Sequence, residues 1–319
     1  MTAFSENKIP IIAVVGATAS GKTSLAVEIC KRFNGEVVSA DSMQIYKGMS
    51  IATAKPSAEE MCGIPHHMID FLPVSKRYSV AQYINDASRS IEDIVLRSKT
   101  AVVAGGTGLY VDSLLSGTVF EDEPDITGVR EKLRAKRDGE GILPLYRELE
   151  KIDPETARSL HPNNEGRVLR ALEVFYATGE KPSVRRARSH LSESPFEPLY
   201  ISIEYKDREK LYDRINRRVD IMVKNGLVDE AREYFSLDNA CTASAAIGYK
   251  ELAPFFDGRV TFDEAIESLK QATRRYAKRQ LTWYRNKAFV HRIYADCLSC
   301  GVSVADEAEK IIHESHLFD

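Results

Sequence analysis

The sequence predicts an α/β fold, in which an open parallel sheet carries helices on both faces and a mostly helical insertion interrupts the chain. Three short apolar runs indicate the sheet: residues 11–15, 36–40 and 100–104. The first and third runs end near glycines, and residues 23–33 follow the first with their apolar side chains on one helical face. Buried parallel strands that alternate with helices are typical of this architecture.

The composition is that of a globular protein. The chain has 319 residues, enough for two domains or for one domain with a large insertion. It is 43% hydrophobic and 29% charged, which argues against disorder, collagen or a coiled coil, and its net charge of -3 does not suggest a nucleic-acid binder. The longest apolar run, residues 9–15, is too short for a membrane span, and the N-terminus lacks a signal-peptide pattern. We therefore expect a cytoplasmic protein with no membrane contact and no evident obligate protein partner.

The character of the sequence changes twice along the chain. From about residue 117 to 198 the sequence is rich in charged residues and has a helical pattern, which prolines and glycines interrupt. Strand-like residues 199–205 then return to the sheet, a helix is predicted over 208–224, and 289–295 is a further strand candidate. We divide the chain into a first core part, 1–116, a helical insertion, 117–198, and a second core part with a basic helix, 199–319.

The strongest motif is a phosphate-binding loop, or P-loop. Residues 16–23, GATASGKT, match G-x-x-x-x-G-K-[ST] in full and lie between a predicted strand and a predicted helix. Glycines let backbone N–H groups point at phosphate oxygens, Lys22 adds a full charge, and the Thr23 hydroxyl is placed to coordinate Mg²⁺. The motif predicts a P-loop NTPase-like core that holds a polyphosphate but leaves the reaction open. The loop consists of Gly16, Ala17, Thr18, Ala19, Ser20, Gly21, Lys22 and Thr23.

Two other strand ends should meet this loop, because ligands of open α/β sheets bind beyond the carboxyl ends of the strands. They are residues 41–44 and 105–107. Asp41 is either the cap of a turn or a carboxylate that faces the phosphate site, and the convergence of the strand ends favours the second interpretation. Thr107 places a neutral hydroxyl where an ordinary ATPase has a metal-binding aspartate.

Eight segments, taken in order, resemble the tRNA dimethylallyltransferases, or IPP transferases. The resemblance covers nearly the whole chain. It implies transfer of a dimethylallyl group from dimethylallyl diphosphate to the exocyclic amine of the tRNA adenosine immediately 3′ of the anticodon, with release of diphosphate. The segments are GATASGKT and residues 39–56, 65–83, 102–110, 153–175, 207–231, 246–252 and 273–285.

The resemblance implies roles for the residues around the P-loop. The loop, with Mg²⁺ at Thr23, would hold the donor's diphosphate. Arg214 and Arg218, which are four residues apart on one helical face, would stabilise its growing charge, and Thr107 would bond to one of its oxygens. Asp41 would accept a proton from the adenine amine, whose delocalised lone pair makes it a poor nucleophile. The predicted catalytic residues are Lys22, Asp41, Thr107 and Arg218.

The same resemblance implies an RNA site. An anticodon-loop adenosine would leave its stack to reach the crevice, where Gln44 would read the base edge. Arg130 and Arg167 would contact the RNA, although a salt-bridged helix residue is an alternative interpretation of Arg167. Gly166 stands where many relatives carry Gln, so one side-chain contact is lost. The implied tRNA-binding residues are Asp41, Ser42, Met43, Gln44, Thr107, Arg130, Glu165, Gly166, Arg167, Val168, Leu169, Arg274 and Arg275.

A basic stretch near the C-terminus suits the RNA backbone. Residues 270–287 contain seven Lys or Arg and no Asp or Glu, with Tyr276, Trp283 and Tyr284 interleaved. A solvated helix face is the usual interpretation of a charge run, but such one-sidedness in an acidic protein favours phosphate binding. The whole-chain charge conceals this local excess.

Other function classes compete with this prediction. A GTPase is disfavoured, because neither Asn-Lys pair of the chain, at 7–8 and 286–287, continues into the Asn-Lys-x-Asp motif. A small-molecule kinase would use the same loop with ATP. A prenyltransferase for free adenine nucleotides would have little need of the insertion or of residues 270–287. A non-catalytic RNA-binding module gives no reason for Lys22, Asp41 and Thr107 to meet.

Overall fold

The computed structural model describes residues 8–120, 126–189, 193–236 and 246–318. The chain divides into two compact units. Unit 1 comprises Met1–Leu115 and Pro195–Asp319, and unit 2 comprises Ser116–Ser194. Within the described ranges, no helix is long and apolar enough to cross a membrane.

Unit 1 is built on a parallel sheet of six strands, in the spatial order β3, β2, β4, β1, β5, β6. Every neighbouring pair of strands is parallel. This arrangement agrees with the predicted open α/β sheet. The strands are β1 (Ile9–Gly16), β2 (Gly35–Ser39), β3 (His66–His67), β4 (Thr100–Ala104), β5 (Phe196–Glu204) and β6 (Val290–Tyr294).

The described residues form fourteen helices. The first four are α1 (Lys22–Arg32), α2 (Ala58–Met61), α3 (Val80–Leu96) and α4 (Gly108–Leu115). Unit 2 contains α5 (Thr127–Glu140), α6 (Ile142–Ile152), α7 (Pro154–Arg158), α8 (Glu165–Thr178) and α9 (Pro182–Ser189). The last five are α10 (Arg208–Lys224), α11 (Leu227–Phe235), α12 (Tyr249–Phe256), α13 (Phe262–Tyr284) and α14 (Val304–Ser315).

Helices cover both faces of the sheet, which explains why its strands are continuous apolar runs. On one face, Tyr83 of α3 and Val111 of α4 pack in a cluster with Val103 of β4. On the other face, Leu25 of α1 and Ile312 of α14 share a cluster with the neighbouring strand residues. Successive strand residues point to opposite faces, so a strand covered on both sides needs an apolar residue at every position. The predicted fold class is confirmed.

Unit 2 packs around its own core, in which Leu145 and Leu149 of α6 meet Val168 and Leu172 of α8. Asp153 is buried at the start of α7 and ties the helices together. Its carboxylate accepts hydrogen bonds from the backbone N–H of Thr156, at 3.1 Å, and of Ser183, at 2.8 Å. Five helices thus occupy the segment whose charge pattern predicts helices.

Most of the predicted elements of unit 1 are present, with two differences. The predicted helix 208–224 is α10. The strand β3 was not predicted, because its two histidines do not form an apolar run; it pairs with β2 at the edge of the sheet. The basic stretch 270–287 belongs to α13, which begins earlier, at Phe262, and ends at Tyr284.

A buried carboxylate in β2 gathers two cationic side chains and a histidine at the ends of the strands opposite to the P-loop. Glu36 is 1% exposed and accepts hydrogen bonds from Arg97 Nη2, at 2.9 Å, and Lys99 Nζ, at 2.7 Å. His67 Nε2 lies 2.7 Å from the same carboxylate. The Arg97 hydrogen bonds, followed by those from Lys99 and His67, hold the pKa of Glu36 well below its usual range.

Replacing Glu36 by Gln tests how much this cluster stabilises the fold. At pH 7 we expect the free energy of unfolding to fall by about 2 kcal/mol, because the cations lose their shared carboxylate. The difference from the wild type should shrink as the pH falls below about 4.5. The reason is that a carboxylate whose pKa is lowered by folding stabilises the protein fully above the pKa of the unfolded chain, and this contribution is lost gradually as the pH falls towards the lower pKa of the folded state. Urea denaturation across this pH range measures both effects.

Glu28→Gln is the matched control, since Glu28 forms an exposed ion pair with Lys31 on α1. Exposed pairs contribute little to stability, so this variant should unfold like the wild type. If Glu36→Gln and the wild type were equally stable at pH 7, the Glu36 carboxylate would not stabilise the fold.

Candidate active site

The P-loop connects β1 to α1 through two positions that require glycine. Gly16 has φ 138°, and a Cβ there would lie 2.8 Å from the carbonyl oxygen of Ile203 in β5. Gly21, with φ 105°, is the N-cap of α1. Side chains are disfavoured at such φ values, and at Gly16 they would also separate β1 from β5. The glycines of the motif therefore allow the loop to fold back over the end of β1.

Lys22 is a partly buried cation at the start of α1. Its Nζ donates a hydrogen bond of 2.7 Å to the carbonyl oxygen of Ala17, within the P-loop. Removal from water, and secondarily the nearby charge of Arg218, lower the pKa of Lys22 to about 8, while Asp41 acts in the opposite direction. Two neighbouring cations in a poorly hydrated crevice favour the binding of an anion between them.

The structure brings both arginines of α10 to the P-loop. Arg214 Nε donates to the carbonyl oxygen of Ala19 at 2.9 Å, and Arg218 Nη1 donates to Thr18 Oγ1 at 3.2 Å. Their spacing of four residues puts them on one face of the helix, as the sequence predicts. Burial lowers the pKa of Arg218. Arg218 is thus part of the crevice and not of a solvated helix surface.

The loops after β2 and β4 are hydrogen-bonded to each other. Thr107 Oγ1 accepts a hydrogen bond of 3.1 Å from the backbone N–H of Ser42. Asp41 Oδ1 accepts one of 2.9 Å from the N–H of Met43, the pattern of a turn cap. No hydrogen bond to Oδ2 is found among the described residues. The two interpretations of Asp41 are therefore compatible, because one oxygen caps the turn while the other is free for chemistry.

The three strand ends meet in one small crevice of about 80 Å³, as the sequence predicts. The P-loop, the loop after β2 and the loop after β4 all contribute to its walls, together with α10 and α13. Its lining includes Thr18, Lys22, Thr23, Asp41, Gln44, Gly105, Gly106, Arg218, Tyr276 and Gln280.

Two larger pockets adjoin this crevice and share residues with it. The first, of about 860 Å³, is strongly cationic, with Lys22, Lys55, Arg214, Arg217 and Arg218 in its lining. The second, of about 280 Å³, is lined mainly by apolar side chains, which are Met43, Ala52, Ile215, Val219, Met222, Leu227, Ala246, Ile247 and Leu269. Asp41 and Thr18 line both the small crevice and the apolar pocket. The site therefore has a charged side and an apolar side that meet at Asp41.

Gln44 has internal partners at both ends of its amide. Its Nε2 donates to the carbonyl oxygens of Thr53, at 3.2 Å, and Ala54, at 3.1 Å. Its Oε1 accepts from Ser39 Oγ at 3.3 Å. Met43 packs against the apolar cluster of α10 to α13. In this structure Gln44 holds the loop at 53–54 in place, so reading a base edge would require it to exchange partners.

The residues of unit 2 that the resemblance assigned to RNA have different environments. Arg130 forms a double hydrogen bond, at 2.9 and 3.0 Å, with the buried carboxylate of Glu173. Glu165 and Gly166 are exposed at the start of α8, as is Arg167, which has no ion pair among the described residues. The salt-bridged interpretation of Arg167 is therefore not supported. The next two residues are buried in the core of unit 2, so only their backbones could reach RNA; they are Val168 and Leu169.

Only part of the predicted basic stretch on α13 is free of acidic partners. Arg274 pairs with Glu267 at 2.9 Å and also donates to Asn216, while Lys270 pairs with Asp220 at 2.7 Å. Lys287, just beyond the helix, pairs with Asp112. In contrast, the exposed basic residues with no ion pair in the described parts of the chain include Arg275, Lys278 and Arg279. The outward charge is smaller than the sequence suggests and is concentrated on these side chains.

Gln280 is a residue of the site that was not predicted from the sequence. Its Oε1 accepts a hydrogen bond from the backbone N–H of Thr18 at 2.8 Å, and its Nε2 donates to the carbonyl oxygen of Gly106 at 2.9 Å. A glutamine inside a basic helix carries no local signal, because its partners lie more than 170 positions away in sequence. Tyr276, noticed only as an interleaved aromatic residue, lines the crevice and the apolar pocket.

The chain matches the model of a known protein family. The model of the family described as IPP transferase matches residues 44–287. The chain is 45% identical to a tRNA dimethylallyltransferase of Caldanaerobacter subterraneus subsp. tengcongensis over 291 residues, which cover 90% of this chain and 92% of that protein. It is 44% identical to the tRNA dimethylallyltransferase of Bacillus subtilis over 288 residues, which cover 89% and 90% of the two chains.

Solved structures show the same similarity. The full-length tRNA isopentenylpyrophosphate transferase of Bacillus halodurans superposes with a TM-score of 0.71 at 42% identity, covering 98% of this chain and 97% of that one. A eukaryotic dimethylallyltransferase acting on tRNA superposes with a TM-score of 0.81 at 32% identity, covering 96% and 79% of the two chains.

The lowered pKa of Lys22 predicts an unusual pH dependence of its chemical reactivity. Only a neutral amine is acylated, so labelling of Lys22 in the free protein should rise through a midpoint at about pH 8. An ordinary lysine has its midpoint near pH 10.4. Because Arg218 lowers this pKa and Asp41 raises it, Arg218→Met should move the midpoint up and Asp41→Asn should move it down. Mass spectrometry of the peptide that contains Lys22 measures the labelling.

Inorganic diphosphate is the control for location, since an anion bound in the crevice should protect Lys22 from the reagent. A midpoint near pH 10 that neither substitution moves would contradict the described electrostatics of the crevice.

Proposed function

Because this chain belongs to the IPP transferase family, we propose that it transfers a dimethylallyl group from dimethylallyl diphosphate to tRNA. The acceptor is the exocyclic amine of the adenosine 3′ of the anticodon, and diphosphate is released. One observation carries the proposal beyond the family: Asp41 lies where a cationic crevice meets an apolar pocket. A prenyl diphosphate has the same division, with a charged head joined to an apolar tail.

The donor would lie across this boundary. Its diphosphate would enter the crevice between Lys22 and Arg218, at the N-terminus of α1, where backbone N–H groups and the helix dipole add positive potential. Arg214 would neutralise the outer phosphate, since it lines the larger cationic pocket. The dimethylallyl tail would occupy the apolar pocket, which shields its reacting carbon from water.

The site residues fit a Mg²⁺ ion that arrives with the donor. The side chain of Thr23 lines both the crevice and the cationic pocket, where phosphate oxygens would lie. Among the described residues, no group of three His, Cys, Asp or Glu could hold a metal ion alone. Thr23 would therefore be the protein residue that holds such an ion. When bound, Mg²⁺ would neutralise charge on the leaving diphosphate.

In the proposed reaction a C–N bond forms as a C–O bond breaks. The adenine amine attacks the allylic carbon, and the electrons of the C–O bond pass to the diphosphate, where Lys22 and Arg218 stabilise the negative charge. The nitrogen becomes positively charged and loses a proton to Asp41 Oδ2, the oxygen that has no described partner. Thr107 Oγ1 accepts from the backbone N–H of Ser42 and donates to Ser42 Oγ at 3.4 Å, so its hydroxyl proton would turn from Ser42 to a diphosphate oxygen when the donor binds.

The acceptor must be an extruded base, because the amine has to reach a crevice at the end of the sheet. The exposed basic residues of α13 supply charge for the RNA backbone near that crevice, with Arg279 lining the apolar pocket. In unit 2, the exposed Arg167 is proposed as a further phosphate contact. The anticodon stem-loop is therefore the proposed RNA partner.

The activity is tested by incubating the protein with dimethylallyl diphosphate, Mg²⁺ and tRNA and then measuring the masses of the anticodon-loop nucleosides. We expect one adenosine to gain the mass of a dimethylallyl group in place of a hydrogen. Parallel reactions with labelled ATP and with free AMP distinguish the competing classes. Phosphoryl transfer without prenylation would indicate a kinase, and prenylation of AMP alone would indicate an enzyme of free nucleotides.

Asp41→Asn tests the proposed proton acceptor. Asparagine can still cap the turn through its amide oxygen but cannot accept the proton, so turnover should fall about 10²-fold or more. Affinity for tRNA should stay within about 2-fold, because the shape of the loop is kept. Asp229→Asn is the matched control, since Asp229 is an exposed residue of α11. Normal turnover of Asp41→Asn would remove Asp41 from the mechanism.

Arg275→Ala tests the proposed RNA face of α13. If Arg275 contacts a phosphate, its loss should weaken tRNA binding and reduce the slope of log K against log salt by about one. Arg274→Ala should have a smaller effect, because Glu267 already neutralises Arg274. Filter binding across a salt series measures both slopes. A larger effect from Arg274→Ala would place the RNA on a different face.

A further inference from the structure

We propose that Gln280 is a positioning residue for the transfer reaction: its single amide group fixes the donor-binding P-loop against the loop that follows β4. The proposal rests on the proposed function, because the loops matter for catalysis only if donor and acceptor meet between them. It assigns to α13 a role inside the active site in addition to its outward, RNA-facing side.

Both ends of the Gln280 amide are engaged in a buried setting. The residue is 6% exposed, and its two bonds, to Thr18 N and Gly106 O, are 2.8 and 2.9 Å long. A glutamine amide offers a carbonyl oxygen that accepts and an NH2 group that donates, in a fixed geometry. Glutamate could accept from Thr18 but not donate to Gly106, and methionine could do neither. The site therefore specifies an amide and not merely a side chain of this volume.

The amide is a fixed point because α13 is anchored on either side of it. Ala277 is buried in a cluster with Ala17 and Ile215, directly under the P-loop. Tyr284 is buried in the cluster that covers one face of the sheet. Both loops are thus tied to a helix that cannot shift without disturbing the core.

Each loop held by Gln280 carries a part of the proposed chemistry. Thr18, whose N–H it binds, accepts a hydrogen bond from Arg218 through its hydroxyl. Gly106, whose carbonyl it binds, precedes Thr107, and Thr107 accepts from Ser42 in the loop of Asp41. Gln280 therefore sets the separation between the cations that hold the leaving group and the carboxylate that takes the proton. A displacement of about 1 Å in such a geometry can cost about 10²-fold in rate.

Gly106 gives an independent way to displace the amide. A Cβ on Gly106 would lie 2.1 Å from Gln280 Nε2, far inside contact distance, and its next neighbour from another residue would be Lys22 Nζ, at 3.8 Å. Alanine at this position would push the Gln280 side chain away while leaving its chemistry unchanged. Gly106 is therefore required for the amide to reach the loop.

The first experiment compares Gln280→Met with Gln271→Met. Methionine keeps the volume but removes both hydrogen bonds, so kcat should fall about 10-fold to 100-fold, while KM for dimethylallyl diphosphate and for tRNA should change less than about 3-fold. Gln271, an exposed residue of the same helix, is the control and should leave both constants unchanged. An unchanged kcat in Gln280→Met, or a rise in KM that accounts for the whole loss, would overturn the proposal.

The second experiment is a double-mutant cycle with Gly106→Ala and Gln280→Ala. Each single variant should lower kcat, but the double variant should be no slower than Gln280→Ala alone, because the side chain that the new Cβ displaces is gone. Multiplied losses in the double variant would overturn the proposal. The cycle keeps the proposal testable if Gln280→Met unfolds, because it uses different substitutions.

Amide hydrogen exchange separates this proposal from the proposed function. In Gln280→Met, exchange in the peptide that spans Thr18 should accelerate relative to Gln271→Met, whether or not the protein transfers a prenyl group. Unchanged exchange would overturn the bridge itself. Accelerated exchange in Gln280→Met, together with a wild type that has no transferase activity, would overturn the proposed function and with it the catalytic role of the bridge.

Discussion

The site depends on a concentration of positive charge that is held away from water at the carboxyl ends of the strands. Burial lowers the pKa of both Lys22 and Arg218, and each stands close enough to the other for their charges to interact. Keeping two cations in such a place is unfavourable until an anion arrives. The arrangement of the P-loop against α10 therefore favours the binding of an anion, which is the basis of the proposed diphosphate site.

The apolar sheet makes this arrangement rigid. Strand β1 is buried between β4 and β5, and its residues Ile12 and Val14 are fully covered by helices. Because Gly16 has no Cβ, the chain can turn at the end of β1 without separating β1 from β5. A loop anchored in this way keeps its N–H groups oriented before the ligand binds, so less reorganisation is needed during the reaction.

Sequence alone predicted the parts of the protein that depend on local patterns. The P-loop, the helix 208–224 and the apolar strands each have a signature within a short window, and the structure contains them.

What sequence could not predict depends on residues brought together by the fold. Arg274 looked free because its partner Glu267 lies just outside the basic window. Gln280 looked unremarkable because Thr18 and Gly106 reach it only through the tertiary structure. Val168 and Leu169 lie in a segment that resembles an RNA-binding motif, yet their side chains pack in the core of unit 2. A sequence motif can contain residues that serve packing as well as residues that contact RNA.

The order of the strands explains why a P-loop can serve the proposed carbon–oxygen cleavage. Strand β4 lies between β2 and β1, so the loop of Thr107 separates the loop of Asp41 from the P-loop. Thr107 bonds to Ser42 on one side, and its neighbour Gly106 bonds through Gln280 to the P-loop on the other. In an ordinary ATPase the end of such a strand carries a metal-binding aspartate, which serves phosphoryl transfer. Here a neutral hydroxyl occupies that position and the acid lies one strand farther away, beside the apolar pocket. In the proposed reaction the acid would lie beside the amine that loses a proton, and it is also close enough to Lys22 and Arg218 for their charges to interact.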